Sequence, residues 1–182
     1  MAVSLPIATV GAGCFWCWDA FFKNVIGVKE VTSGYMGGTV PGRPTYREVS
    51  SGLTGHAEIV RIRFQPEIIS YTSLLTLFLK AHNPTISYKT QHLGSYGSQY
   101  RSVIFYQNTA QQKAAILVLK QFEKTLEPAQ TLYTELAPAT IFYEAETAHQ
   151  NYYETNKTAA YCTNIIVPKL RWLEKQQAKK LK

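Results

Sequence analysis

Leu5-Pro6-Ile7-Ala8-Thr9-Val10-Gly11-Ala12-Gly13-Cys14-Phe15-Trp16-Cys17-Trp18-Asp19-Ala20-Phe21-Phe22 is an apolar run that breaks into small residues, meets a cysteine and continues with helical spacing. Residues 4–10 read as a strand. Trp18, Phe21, Phe22 and Val25 recur at i, i+3, i+4 and i+7, which predicts a helix over 15–26. Cys14 then stands where a strand hands over to a helix start, where unpaired N–H groups and the helix dipole favour an anion. A thiol there is expected to ionise more readily and act as a nucleophile. The competing reading is a buried core cysteine, a common fate for that residue type.

Working outward, residues 28–36 read as a second strand, and Gly37 to Gly55 as a long ordered loop of the kind that carries function. In the strand His56 to Phe64, alternation puts Glu58, Val60, Ile62 and Phe64 on one face and Ile59, Arg61 and Arg63 on a wetter one. Glu58 thus heads an apolar face, where desolvation raises a carboxyl pKa toward neutrality; otherwise it bends out to solvent. Ser73 to Ala81 reads as a helix stopped by His82-Asn83-Pro84, since the residue before proline avoids helical geometry. A polar loop over 84–99 precedes a strand at 100–106. Strand, helix, strand, strand, helix, strand is the order of a ferredoxin-like split β-α-β core. The predicted fold class is therefore α+β: a two-layer α/β sandwich with long functional loops and a C-terminal extension. Thr109 and Gln112 resemble a capping box opening a further helix. Residues 131–143 read as extended, and a helix over 146–157 carries His149 and Tyr153 on one side.

At 182 residues and 46% hydrophobic the chain fits one domain, 1–182, with a C-terminal segment over about 158–182. No apolar run reaches membrane-spanning length, and the N-terminus lacks the basic start of a secretory signal, so a cytoplasmic protein is expected. Three cysteines favour free or cycling thiols over a fixed disulfide framework. The net charge of +7 is concentrated, with +5 in the last fourteen residues and +2 elsewhere. That reads as a solvated helix end rather than a nucleic-acid site. No Gly-rich dinucleotide fingerprint follows a strand, so no bound cofactor is expected. No heptad seam is present, and a monomer is expected.

Six blocks resemble the peptide methionine sulfoxide reductases of type A, the class acting on the S epimer. They are Gly13-Cys14-Phe15-Trp16, Gly34-Tyr35-Met36-Gly37-Gly38, Pro44-Thr45-Tyr46 with Thr54-Gly55-His56-Ala57-Glu58, His82-Asn83-Pro84-Thr85, Gly97-Ser98-Gln99-Tyr100-Arg101-Ser102, and Phe142-Tyr143-Glu144-Ala145-Glu146 with His149-Gln150. The resemblance implies that Cys14 attacks the sulfoxide sulfur and that Phe15 and Trp16 receive the S-methyl group. It implies that Glu58, helped by Tyr46 and Tyr100, protonates the sulfoxide oxygen, with His149 and Ser95 on the substrate-binding surface. Substrates would be oxidised proteins or free methionine sulfoxide, and the reductant thioredoxin or a similar dithiol. Two departures stand out: Ser95 replaces an aspartate that orients the peptide backbone, and Asp19 replaces a glutamate.

The sulfenic acid left on Cys14 needs a second thiol. Cys17 gives a C-x-x-C spacing, but helical β-carbons at i and i+3 lie about 5–6 Å apart against the roughly 3.5–4.5 Å of a disulfide. Cys162 lies after the final predicted helix and matches the C-terminal resolving cysteine common in the family, so it is the first choice; a relay using both remains open. Two other classes compete: a general thiol–disulfide oxidoreductase built on Cys14 and Cys17, and a metal module of Cys14, Cys17, Cys162 and His149.

Overall fold

A computed structural model describes residues 4–89 and 97–180. β1 (Ile7–Gly11), α1 (Phe15–Lys23), β2 (Val28–Met36), α2 (Tyr46–Ser50), β3 (Ala57–Phe64), α3 (Tyr71–Lys80) and β4 (Val103–Tyr106) are followed by α4 (Thr109–Glu123), β5 (Glu135–Pro138), β6 (Tyr143–Glu144), α5 (Tyr152–Thr155) and α6 (Val167–Lys180). The six strands form one sheet in the order β5-β4-β1-β3-β2-β6. Within its central four, β4-β1-β3-β2, every pairing is antiparallel, while β5 joins β4 in parallel. That is the split β-α-β arrangement expected from the order of elements, with β3 inserted between β1 and β2.

Alternation along β3 decides which side is packed. Val60, Ile62 and Phe64 join Trp18, Phe21 and Phe22 of α1 and Leu74, Leu75 and Phe78 of α3 in the main core. The other face is less wet than expected at its head. Ile59 is fully buried with Met36, Val103 and Phe105 beneath Ala137, Ala139 and Phe142, and Arg61 lies 4.1 Å over the Phe142 ring. The chain after α4 returns across this face, which the local pattern of β3 does not encode.

Three local expectations are corrected. The Gly37–Gly55 loop contains α2, opened by a full capping box in which Thr45 and Glu48 bond reciprocally. α4 is capped by Asn108, whose side chain accepts from the Gln111 N–H, so the Thr109–Gln112 pair is not its cap. The helix expected over 146–157 is broken: a 3₁₀ turn at Thr147–His149 and one α-helical turn flank Asn151, whose φ of 53° is left-handed. No described helix is long and apolar enough to cross a membrane.

Candidate active site

The site begins where β1 closes on β3. A Cβ at Gly11 would lie 2.3 Å from the Glu58 carbonyl oxygen, so only glycine permits this approach. The chain then turns at Gly13, whose φ of 77° is left-handed, and the Gly13 N–H donates to the Tyr100 carbonyl at 2.9 Å. Cys14 is the N-cap of α1. The Cys17 N–H donates back to the Cys14 carbonyl at 3.2 Å, an i to i+3 bond that tightens the first turn. Cys14 itself is extended at the N-cap, with a ψ of 129°, so its side chain is not held to the i, i+3 spacing of a regular helix, and Cys17 is near enough to act on its charge.

Glu58 is fully buried opposite Tyr35 of β2. Its Oε2 accepts the Phe15 N–H at 3.0 Å, while Oε1 is buried with no hydrogen-bond partner among the described residues. Desolvation pushes this carboxyl up to about 8, against the opposing pull of the Phe15 N–H and the Cys14 thiol. Glu58 is therefore neutral at pH 7. Oε2 is engaged as an acceptor, which leaves Oε1 as the oxygen suited to carry the acid proton.

The same neighbourhood reverses the expectation for Cys14. Desolvation and the Glu58 carboxyl drive its thiol well above the ordinary range, outweighing the Trp16 N–H and the Tyr161 hydroxyl, which pull it down. The helix start is real, but its Phe15 N–H serves Glu58 rather than the sulfur. Cys14 and Glu58 are thus a coupled pair of acids, both protonated in the free protein at neutral pH.

Aromatic rings enclose this pair. Phe15, fully buried, packs against Tyr35 at 5.6 Å, Tyr46 at 6.4 Å and His149 at 5.7 Å between centroids. Trp16 stacks on Tyr152 at 3.6 Å and donates its indole N–H to His149 Nδ1 at 3.1 Å. That bond fixes the neutral His149 tautomer with its proton on Nε2. Tyr46 stacks on His149 at 4.2 Å. Burial and the Glu58 charge raise the Tyr46 and Tyr100 hydroxyls above the ordinary phenol range, so both remain donors.

On the far side of Cys14 a cavity of about 510 Å³ is lined by Cys14, Cys17, Tyr100, Tyr161 and Lys169 among others. Cys162 opens a π-helical turn, Cys162–Ile166, that runs into α6. It packs against Cys17, Ala20 and Ile166, not against Cys14. All three cysteines are free.

The sequence profile of the peptide methionine sulfoxide reductases matches residues 6–182. The chain belongs to that family. It is 44% identical over 167 residues to the peptide methionine sulfoxide reductase MsrA of Sulfolobus acidocaldarius, covering 92% of each chain. Its fold superposes on methionine sulfoxide reductase A of Corynebacterium diphtheriae with a TM-score of 0.78 at 31% identity, covering 86% of this chain and 77% of that one. It also matches Mxr1 of Saccharomyces cerevisiae in reduced form, with a TM-score of 0.79 at 25% identity, covering 89% and 91%. A structure of Mxr1 in complex with Trx2 matches in fold, with a TM-score of 0.57 at 18% identity, covering 84% and 87%.

In this peptide methionine sulfoxide reductase the structure brings together Cys14, Phe15, Trp16, Tyr46, Glu58, Tyr100 and His149, with Cys17 in the same first turn of α1 and Cys162 packed behind Cys17. Ser95 lies outside the described residues. Asp19 lies beyond the first turn of α1. It is buried and pairs with Lys23 at 2.6 Å, and Lys23 in turn donates to the Asn151 side chain. Three neighbours escaped the sequence reading. Glu146 accepts from the Tyr46 N–H at 2.7 Å and the Tyr35 hydroxyl at 2.8 Å. Tyr161 places its hydroxyl beside Cys14. Lys169 reaches Cys17. Only Glu146 belonged to a quoted block; the other two depend on how the C-terminal segment folds back.

Proposed function

We propose that this protein reduces the S epimer of methionine sulfoxide, free or within oxidised proteins, through Cys14 and Glu58. The observation that carries this reading is the fully buried Glu58 carboxyl, anchored through Oε2 by the Phe15 N–H with Oε1 left to carry a proton. A sulfoxide oxygen leaves sulfur only once protonated, and a buried acid near pKa 8 supplies that proton at neutral pH. Cys14 attacks the sulfoxide sulfur as Glu58 protonates the oxygen. The S–O bond then breaks, the oxygen passes to Cys14 as a sulfenic acid, and methionine leaves. The thiol's own proton replaces the one given by Glu58, so the acid is restored. Tyr46 and Tyr100 are the accompanying donors. Phe15 and Trp16, braced by His149 and Tyr152, form the apolar wall for the S-methyl group.

Resolution in this reading is a relay. Cys17, in the first turn of α1 that Cys14 caps, attacks the sulfenic sulfur and releases water. Cys162, packed on Cys17, then exchanges into the Cys17 sulfur. A thioredoxin-type dithiol reduces the final disulfide, by analogy with Mxr1 and Trx2. The deciding experiment is a reductant-coupled assay on separated epimers. Turnover of the S sulfoxide alone is expected; turnover of neither, or of the R form alone, overturns the reading.

A further inference from the structure

The resolving step needs a thiolate, yet Cys17 is buried, and burial pushes its thiol up. Among the described residues one cation opposes this. Lys169 lies in the first turn of α6, just after the π-helical turn that Cys162 opens. Its Nζ sits 3.9 Å from the centroid of the Trp18 ring, Trp18 being the residue next to Cys17. Lys169 lines the same cavity as Cys14 and Cys17, and among the described residues no carboxylate pairs with it. An inward-turned ammonium with no acid partner, resting on an indole face, is held by the ring and by whatever anion lies beside it. The thiol beside it is Cys17, which Lys169 stabilises as an anion both by charge and as a hydrogen-bond donor.

We propose that Lys169 is a positioning residue for the resolving step: seated on Trp18, its ammonium holds the Cys17 sulfur as the thiolate that attacks oxidised Cys14. The proposal rests on the reductase reading and adds to it a group that touches neither sulfoxide nor Cys14. In the step, the Cys17 thiolate forms the S–S bond and the S–O bond of the Cys14 sulfenic acid breaks. The departing hydroxide takes up the proton that Cys17 released and leaves as water. The oxidant is the sulfoxide consumed in the first half-reaction.

The other ionisable groups around Cys17 do not substitute for Lys169. Cys14 precedes it on the same turn, and Cys162 and Tyr161 face it from the π-helical turn; none is a cation. His82, at the end of α3, is buried and held neutral, its pKa pushed down to about 3 by desolvation and by Lys169 itself. Lys80 lines the cavity from α3 but is not among the groups acting on Cys17. Among the described residues a single cation therefore acts on the thiol, and the C-terminal segment brings both Lys169 and Cys162 to it.

The test follows the Cys14 sulfenic acid after the methionine burst, by trapping with a cyclic dione, in the wild type, Lys169→Met and Lys169→Arg. The methionine burst itself reports the first half-reaction separately: its absence in the wild type would overturn the reductase reading rather than the role of Lys169. For Lys169→Met, sulfenic decay is expected to slow about tenfold at pH 7, corresponding to one pKa unit of thiolate population, with the inflection of its pH profile moved upward. Lys169→Arg should restore most of the rate, and adding Lys169→Met to Cys17→Ser should slow decay no further. Decay at the wild-type rate with an unmoved pH profile overturns the proposal, as does equal slowing in the Cys17→Ser background. A merely structural cation on Trp18 would lower thermal stability without moving that profile.

Discussion

The Phe15 N–H lies 3.0 Å from Glu58 Oε2, joining the first turn of α1 to β3. A helix N-terminus placed next to a cysteine is usually read as a device for the thiolate. Here it orients an acid, leaving the other carboxyl oxygen to carry the proton and the sulfur to share its electrostatics with a neighbouring carboxyl.

That sharing has a sign that can be measured. Since the Glu58 charge raises the Cys14 thiol, Glu58→Gln should lower its pKa. Tyr161 pulls the thiol down, so Tyr161→Phe should raise it. The pH dependence of Cys14 alkylation by iodoacetamide reports both, and shifts in the same direction would contradict the assignment.

Glu58 also links stability to pH. Folding raises its pKa from 4.5 to about 8, so between those values the folded protein binds a proton that the unfolded chain releases. The stability this confers is complete below about 4.5 and lost as the pH rises through about 8. Denaturant midpoints measured from pH 5 to 9 should fall with a component that Glu58→Gln lacks.

The thiols should separate by stage. Cys14→Ser is expected to abolish methionine release. Cys17→Ser should release one equivalent of methionine and retain a long-lived sulfenic acid. Cys162→Ser should stop at a Cys14–Cys17 disulfide, while the wild type without reductant accumulates Cys17–Cys162. Peptide mapping by mass spectrometry reads each outcome; a direct Cys14–Cys162 bond with Cys17 still reduced would remove Cys17 from the relay.

Glu146 braces the donor side by accepting from the Tyr46 N–H and the Tyr35 hydroxyl. Glu146→Ala leaves the Tyr35 hydroxyl, on a fully buried residue, without its acceptor, at a cost of roughly 1–3 kcal/mol. Denaturant unfolding should show that loss, and steady-state assays a rise in KM as Tyr46 loses its backbone anchor.

Much of this was legible in the chain itself because it is local. The periodicity of Trp18, Phe21 and Phe22 gave α1, the alternation of Glu58 with Val60 and Ile62 gave both β3 and a desolvated acid, and the order of elements gave the sheet. The short helix α2 had a signal in Thr45 and Glu48, obscured by the Gly, Pro and Ser residues around it. The break at Asn151 was not legible, since its conformation answers to Lys23 on α1. Nor was the direction of the Cys14 shift: sequence placed the thiol at a helix start, but burial and a carboxyl from β3 outweigh that position. Tyr161 and Lys169 reach the thiols only through the return of the C-terminal segment, a long-range event with no periodic signature.

The rate of the methionine burst from the S sulfoxide with Glu58→Gln at pH 7 bears most directly on the central claim. That variant should hold about as much Cys14 thiolate as the wild type, whose carboxyl is neutral at this pH. It should nonetheless release methionine roughly 10²–10⁴-fold more slowly, the scale of a lost general acid. A burst as fast as the wild type, or faster, would contradict the account.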